Sequence, residues 1–224
     1  MTDYSDMTLD ELRIALAPEI AASAIFDGWN DTALEAAAEM AGADVDVARL
    51  AYEDKPIGGR AMDMIDAWIE SVDAQMAAEL PAEKLSEMKI RERIFELVWF
   101  RLQAIEGLEE ALRRAMAIMA MPQNAARSLK IGWRSADLMW RLAGDTATDY
   151  NHYTKRTILG SIYAATLAVF VEDDSEGKAQ TRAFLERRIE GVMQFEKVKA
   201  RLLRGDRESF NVTRFLGRLR YPAR

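Results

Sequence analysis

Hydrophobic positions recur along this chain at helical spacing, and no stretch shows the every-other-residue rhythm of a strand. Thr8, with Glu11 three residues on, is a capping pair that predicts a first helix running to about Phe26. Gly28-Trp29 breaks it, and Asp31 or Thr32 opens a short helix that ends near Ala41-Gly42. A third short helix covers Asp44–Tyr52, and Pro56 is expected to open a longer one carrying Met62, Ile65, Trp68 and Ile69. Pro81 closes that helix. Glu83 to about Ile105 reads as the next, with Ile90, Ile94, Leu97, Val98 and Leu102 along one face. Gly107 precedes an Ala/Met-rich helix ended by Pro122, and Ala126–Ala143 follows with Leu129, Ile131, Trp133, Leu138, Trp140 and Leu142. Thr157–Val171 carries no charge at all. A helix apolar on nearly every side is normally buried, and this one is shorter than the roughly 20 residues a membrane span needs. It is therefore expected to be the central core helix of an all-α bundle of about nine to ten helices, followed by a helix over Thr181–Leu203 and a break at Gly205-Asp206.

Composition narrows the chemistry. The chain has 224 residues, no cysteine and one histidine, His152, which excludes disulfides, thiolate metal sites and a cysteine nucleophile and argues against a histidine-rich metal site or a serine–histidine triad. The expectation is no metal, no catalytic residue and no enzyme. The N-terminal MTDYSDMTLDELR is acidic and polar, unlike a signal or transit peptide, which best fits a cytoplasmic protein of bacterial type, although a processed organellar protein would read the same. The net charge of −7 is unevenly spread: from Arg201 to the end, seven arginines and two acids give +5, so residues 1–200 carry −12. An acidic body with a basic tail suggests that the tail meets an anionic surface.

The opening helices have the layout of a helix-turn-helix: a long helix ending at Gly28-Trp29, an Asn-Asp-Thr cap, then a tight turn at Ala41-Gly42-Ala43. In this respect they resemble the TetR regulators. Asp44–Tyr52 would be the recognition helix, but Asp27–Asp54 holds eight acids and only Arg49 as a base. DNA affinity depends heavily on Lys and Arg neutralising phosphates, so this face should be repelled and no nucleic-acid partner is expected. A divergent TetR-type regulator sensing an apolar ligand is the alternative reading of the whole chain.

Met116, Met119 and Met121, with Trp133 and Trp140, allow two readings: ordinary core, or a flexible apolar pocket, since Met adapts to irregular shapes. Their convergence on Thr157–Val171, with Tyr163 and Phe170, favours the pocket. Where that helix begins, Asp145, Asp149, Tyr150, His152, Tyr153, Lys155 and Arg156 crowd together. Gly144-Asp145 is a helix stop, and Thr146, Thr148 or Asp149 is a cap candidate. Capping leaves the rest of the cluster unexplained. Three- and four-residue spacings put Asp149, His152, Tyr153 and Arg156 on one face, the mix of aromatic and arginine favoured at interface hot spots. No nucleophile or oxyanion partner accompanies His152, so partner binding is favoured over catalysis.

Gly144-Asp145-Thr146…Asp149-Tyr150-Asn151-His152-Tyr153-Thr154-Lys155-Arg156 resembles the signature GD-x-[ST]-x-D-[FY]-N-W-Y-[ST]-[KR]-R. That signature belongs to the accessory proteins of ubiquinone biosynthesis, the ninth of the Coq series. The resemblance extends to Gly28-Trp29, Ile57-Gly58-Gly59, Ile90-Arg91, Pro122-Gln123-Asn124 and Thr181…Phe184-Leu185…Arg187; His152 stands where the family usually has tryptophan. The resemblance implies a TetR-like all-α fold that has lost DNA binding, a pocket for isoprenoid or other lipid in place of a cofactor, and a homodimer. It also implies a surface patch docking the di-iron hydroxylase that acts on demethoxyubiquinone. By position the patch would be Asp149, Tyr150, His152, Tyr153, Lys155 and Arg156, and the pocket candidates are Met116, Met119, Trp133, Trp140, Tyr163 and Phe170.

At the C-terminus, Phe210, Val212, Phe215, Leu216 and Leu219 are interspersed with Arg214, Arg218, Arg220 and Arg224. Such a helix either packs on protein or lies in a membrane interface, where each basic residue near an anionic bilayer contributes about 1 kcal/mol. The family's last helix binds membrane, so the resemblance implies the interface, with phospholipid as a partner and peripheral association with the inner membrane. The expected organisation is a vestigial helix-turn-helix segment over 1–55, a lipid- and partner-binding body over 56–204, and an amphipathic helix over 205–224.

Overall fold

Capping chemistry sets the first three helices where the sequence places them. In the computed structural model, which describes residues 4, 6–54, 58–145, 150–192 and 194 (for 150 and 151 the backbone alone), α1 spans Leu9–Asp27. The Thr8 side chain accepts from the Glu11 amide while the Glu11 carboxylate accepts from the Thr8 amide at 2.9 Å, the reciprocal capping pair. Gly28, at φ +79°, ends the helix in a conformation that L side chains rarely adopt. Asn30 caps α2, Asp31–Ala41, and Asp44 caps α3, Val45–Ala51.

The fourth helix starts later than expected. α4 spans Gly59–Glu79, preceded by Gly58 in the left-handed region, and Pro56 lies outside the described residues. A Cβ on Gly58 would sit 2.5 Å from the Met62 side chain, so the chain turns there only with glycine. The expected Glu83–Ile105 helix divides into a single turn, α5 (Ala82–Leu85), and α6 (Ile90–Gln103). Arg93 stabilises the break by donating to the Ser86 carbonyl at 2.7 Å and the Met88 carbonyl at 2.8 Å, while Glu92 accepts from the Lys89 amide. Ile90 is exposed and leaves the buried stripe to Ile94, Leu97, Val98 and Leu102.

α7 (Glu109–Met119), a turn of tighter helix over Pro122–Asn124, α8 (Ala125–Leu142) and α9 (Tyr150–Phe170) follow. A last helix, α10, covers 179–192. Its N-terminal side is anchored by Asp173, whose carboxylate accepts from the Thr181 amide at 2.7 Å and the Thr181 hydroxyl at 2.6 Å. All ten described helices and no strand make this an all-α protein. None of the described helices is long and apolar enough to cross a membrane.

The first three helices share one continuous core with the body, through Leu12, Leu16, Ile20 and Leu34 against Trp68, Val72 and Leu112. Trp29 sits 5.3 Å from Trp68 and donates its indole N–H to the Ala111 carbonyl at 2.9 Å, tying the α1–α2 corner to α4 and α7. An ionic seam joins α1, α4 and α8. Arg13 pairs with Asp63 and Glu70, Arg127 with Asp63 at 2.8 Å, and Arg134 with Asp66 and Glu70, each at 2.7 Å.

Candidate functional site

α4, α7, α8 and α9 surround a cavity of about 630 Å³. That volume lies within the roughly 300–1,000 Å³ of small-molecule sites. Ile65, Trp68 and Ile69 come from α4, Leu112, Met116 and Met119 from α7, Leu129 and Trp133 from α8, and Tyr163 and Leu167 from α9. The wall is therefore apolar and rich in Met and aromatic surface, suited to a flexible hydrophobic ligand.

α9 departs from the expectation of a fully buried central helix. Leu159, Thr166 and Phe170 are buried, but Thr157, Ser161 and Ala164 are exposed, and these three line the cavity together with Gly160. An uncharged sequence is satisfied equally by a protein neighbour or by an apolar void, and here one flank of the helix faces the void. Leu129, 75% exposed, marks the side on which the cavity opens.

Four of the six pocket candidates, Met116, Met119, Trp133 and Tyr163, line the cavity, and two do not. Trp140 turns away: its indole N–H donates to the Lys155 carbonyl at 3.0 Å and the Lys155 ammonium lies 5.3 Å from its ring. Phe170 is buried at the other end of α9 under the Lys178 ammonium, 4.7 Å from the ring centroid. Reasoning from sequence missed Arg101, Asp73 and Ser135. Arg101 lies within the α6 stripe Leu97-Val98…Leu102 and Asp73 beside Val72 and Met76, and a charge inside an apolar stripe was the available signal.

The polar cluster at the start of α9 resolves into two layers. Gly144, at φ +88°, reverses the chain after α8, and Arg93 donates to the Ala143 carbonyl at 2.9 Å. Asp145, nearly buried, takes Lys155 Nζ at 2.6 Å on one oxygen and Arg156 Nη1 at 3.1 Å on the other. Arg156 is 2% exposed, and its Nε donates to Asp137 of α8 at 2.6 Å. Arg156 thus does not share an open face with Tyr153. It is an internal brace between α8 and α9, and it also touches the cavity.

The outer layer is aromatic. Tyr153, 62% exposed, has its ring 5.2 Å from His152 and 5.8 Å from Trp133, and Trp133 lies 6.2 Å from His152. Trp133 therefore belongs both to the cavity wall and to the outward aromatic group. Asp149, the Tyr150 side chain, and the tail residues Phe210, Val212, Arg214, Phe215, Leu216, Arg218, Leu219 and Arg220 lie outside the described residues.

The order and packing of these helices define a TetR-like fold. A TetR transcriptional regulator of Nitrosomonas europaea superposes with a TM-score of 0.64 at 20% identity, over 83% of this chain and 99% of its own, a likeness of fold alone. The α2–α3 segment, Asp27–Asp54, is acidic, and its one base, Arg49, is taken by Glu35 at 2.7 Å and Asp46 at 3.0 Å.

Within that fold, residues 125–196, a segment that holds α8, α9 and the aromatic group, match the COQ9 family model. It is 39% identical over 93 residues to the ubiquinone biosynthesis protein COQ9, mitochondrial, of Rattus norvegicus, covering 42% of this chain and 30% of that protein. The human protein of that name is 38% identical over 93 residues, covering 42% and 29%. The Schizosaccharomyces pombe protein is 28% identical over 128 residues, covering 57% and 51%. The matches thus span under a third of the rat and human relatives' length.

Proposed function

We propose that this protein is a non-enzymatic lipid-binding accessory protein of ubiquinone biosynthesis. It holds an apolar isoprenoid quinone intermediate in the α4–α7–α8–α9 cavity and presents it to a demethoxyubiquinone hydroxylase-type enzyme at the Trp133–His152–Tyr153 surface. The observation that carries this reading is the double membership of Trp133, whose ring is both cavity wall and neighbour of the exposed Tyr153. The family match over 125–196 supplies the biosynthetic context. Burial of apolar ligand surface drives binding, at about 25 cal/mol per Å² removed from water. The inner layer, Asp137, Asp145 and Arg156, supports the outer one by fixing α9 on α8, so docking specificity belongs to Tyr153 and its neighbours. The working form is a homodimer, held peripherally on the inner membrane by the basic tail over 205–224.

Native mass spectrometry of protein purified without detergent tests the reading. A copurifying quinone, isoprenoid or phospholipid is expected. With that ligand in place, Tyr153→Ala should weaken hydroxylase binding about ten-fold while ligand occupancy is unchanged. An empty protein, or one whose hydroxylase affinity ignores Tyr153, overturns it.

A further inference from the structure

Two charged side chains reach the mostly apolar cavity, Arg156, braced by Asp137 and Asp145, and Arg101. Arg101 is 2% exposed and lines it, and its guanidinium is paired with Asp73. Asp73 in turn accepts from the Ser135 hydroxyl at 2.9 Å. The Tyr163 ring lies 4.9 Å from the guanidinium carbon, so three helices besides α6 hold this one cation in place. Burial opposes the charge, but Tyr163 and Asp73 outweigh it and keep the guanidinium firmly protonated. Arg101 Nε is buried without a hydrogen-bond partner. A buried arginine donor left unmade costs the fold free energy, so such a group inside a ligand cavity calls for an acceptor that arrives with the ligand.

We propose that Arg101 Nε is a head-group subsite, which selects lipids ending in a neutral oxygen acceptor, a ring carbonyl or phenol, and rejects anionic ones. The argument is one of charge and count. Asp73 already neutralises the guanidinium, so a carboxylate or phosphate entering here would bring a net negative charge into a low-dielectric site. A carbonyl oxygen asks only for the one N–H that Nε carries, and that hydrogen bond has a charged donor, the stronger kind. The subsite is deep, since Arg101 is shielded while Leu129 at the opening is 75% exposed. The ring therefore enters first and the chain trails towards Leu129 and Trp133, packed along Met116, Met119 and Ile69. This inference rests on the cavity being a lipid site and adds which end of the lipid it recognises.

Displacement of the neutral dye Nile red by three probes tests it: a benzoquinone bearing a decyl chain, decylbenzene, and dodecanoate. The quinone should displace the dye about ten-fold better than decylbenzene, with dodecanoate the weakest. Arg101→Lys, which keeps the charge opposite Asp73 but lacks the Nε–H, should bring quinone and decylbenzene close to parity. The double variant Arg101→Met with Asp73→Leu removes both charges, leaves neither unpaired, and should do the same while remaining folded by circular dichroism. A quinone preference that survives in both variants, near-equal affinities in the unaltered protein, or dodecanoate binding tightest would each overturn the subsite. Decylbenzene binding as expected with no quinone preference sinks only the subsite. Failure of Nile red itself to bind sinks the lipid cavity and this inference with it.

Discussion

Asp145 shows how one carboxylate can organise a surface it does not itself belong to. It receives Lys155 and Arg156 on separate oxygens, and Arg156 continues to Asp137, so α8 and the first turns of α9 are locked in register. Removing one partner of a buried pair leaves the other charge uncompensated, which is far more destabilising than the pair is stabilising. Asp145→Ala is therefore expected to cost about 3 kcal/mol in urea unfolding, a large share of a marginal stability. It should also lose hydroxylase binding through misplacement of His152 and Tyr153. A variant as stable as the parent would show that Arg156 is held by Asp137 alone. The sequence already carried the chemistry of this cluster, since Gly144-Asp145 reads as a helix stop and Lys155-Arg156 as cations nearby. What it did not carry was direction. Helical spacing places Arg156 beside Tyr153, yet the arginine points inward because two carboxylates, one seven residues before the signature on α8, wait there.

At the scale of elements, α8 and α9 make the cavity by what they omit. Gly132 and Gly160 both line it, and a Cβ added at either would meet nothing within 4 Å. Both are helical, so filling them removes a helix-interior glycine as well as empty space. Gly160→Leu should raise stability by about 0.5–1 kcal/mol. In a domain of this size that corresponds to roughly 1–4 °C in melting temperature. The same change should cut ligand occupancy sharply, because the side chain projects into the cavity beside Tyr163 and Ala164. Lower stability with unchanged occupancy would mean that this part of α9 packs against protein. The apolar run Thr157–Val171 was visible in the sequence, but a hydrophobic pattern is silent on whether its neighbour is a side chain or a ligand. That is why Trp140 and Phe170, as apolar as Trp133 and Tyr163, fell outside the cavity. The acidity of α2–α3 was legible because charge needs no geometry to be counted, and the structure adds that Arg49 is already paired with Glu35 and Asp46.

Taken whole, the molecule couples an acidic helical body to a basic end. Order and length of helices suffice to identify a TetR-like bundle, since caps such as Thr8, Asn30 and Asp44 mark its first boundaries. The division after α5 escaped the pattern, because it depends on Arg93 reaching back to two carbonyls. On the function proposed above, an isoprenoid quinone has no appreciable life in water, so the cavity would fill and empty at a membrane, and the charge asymmetry would supply the means. Residues 1–200 carry −12 and are repelled by an anionic bilayer, whereas 201–224 carry +5. At about 1 kcal/mol per basic residue, such a tail would hold the body loosely enough for release. Replacing Phe215 and Leu216 with Asp leaves the body intact, removes apolar anchorage and lowers the tail's charge from +5 to +3. The double variant should no longer float with vesicles containing anionic phospholipid, while its cavity still binds Nile red with parental affinity. Quinone transfer from vesicles should slow in step with the loss of flotation, and raised salt should reproduce part of the effect on the parent protein. If flotation persists, or if transfer proceeds at the parental rate without it, the tail is not the membrane contact and the cavity must be served by another face.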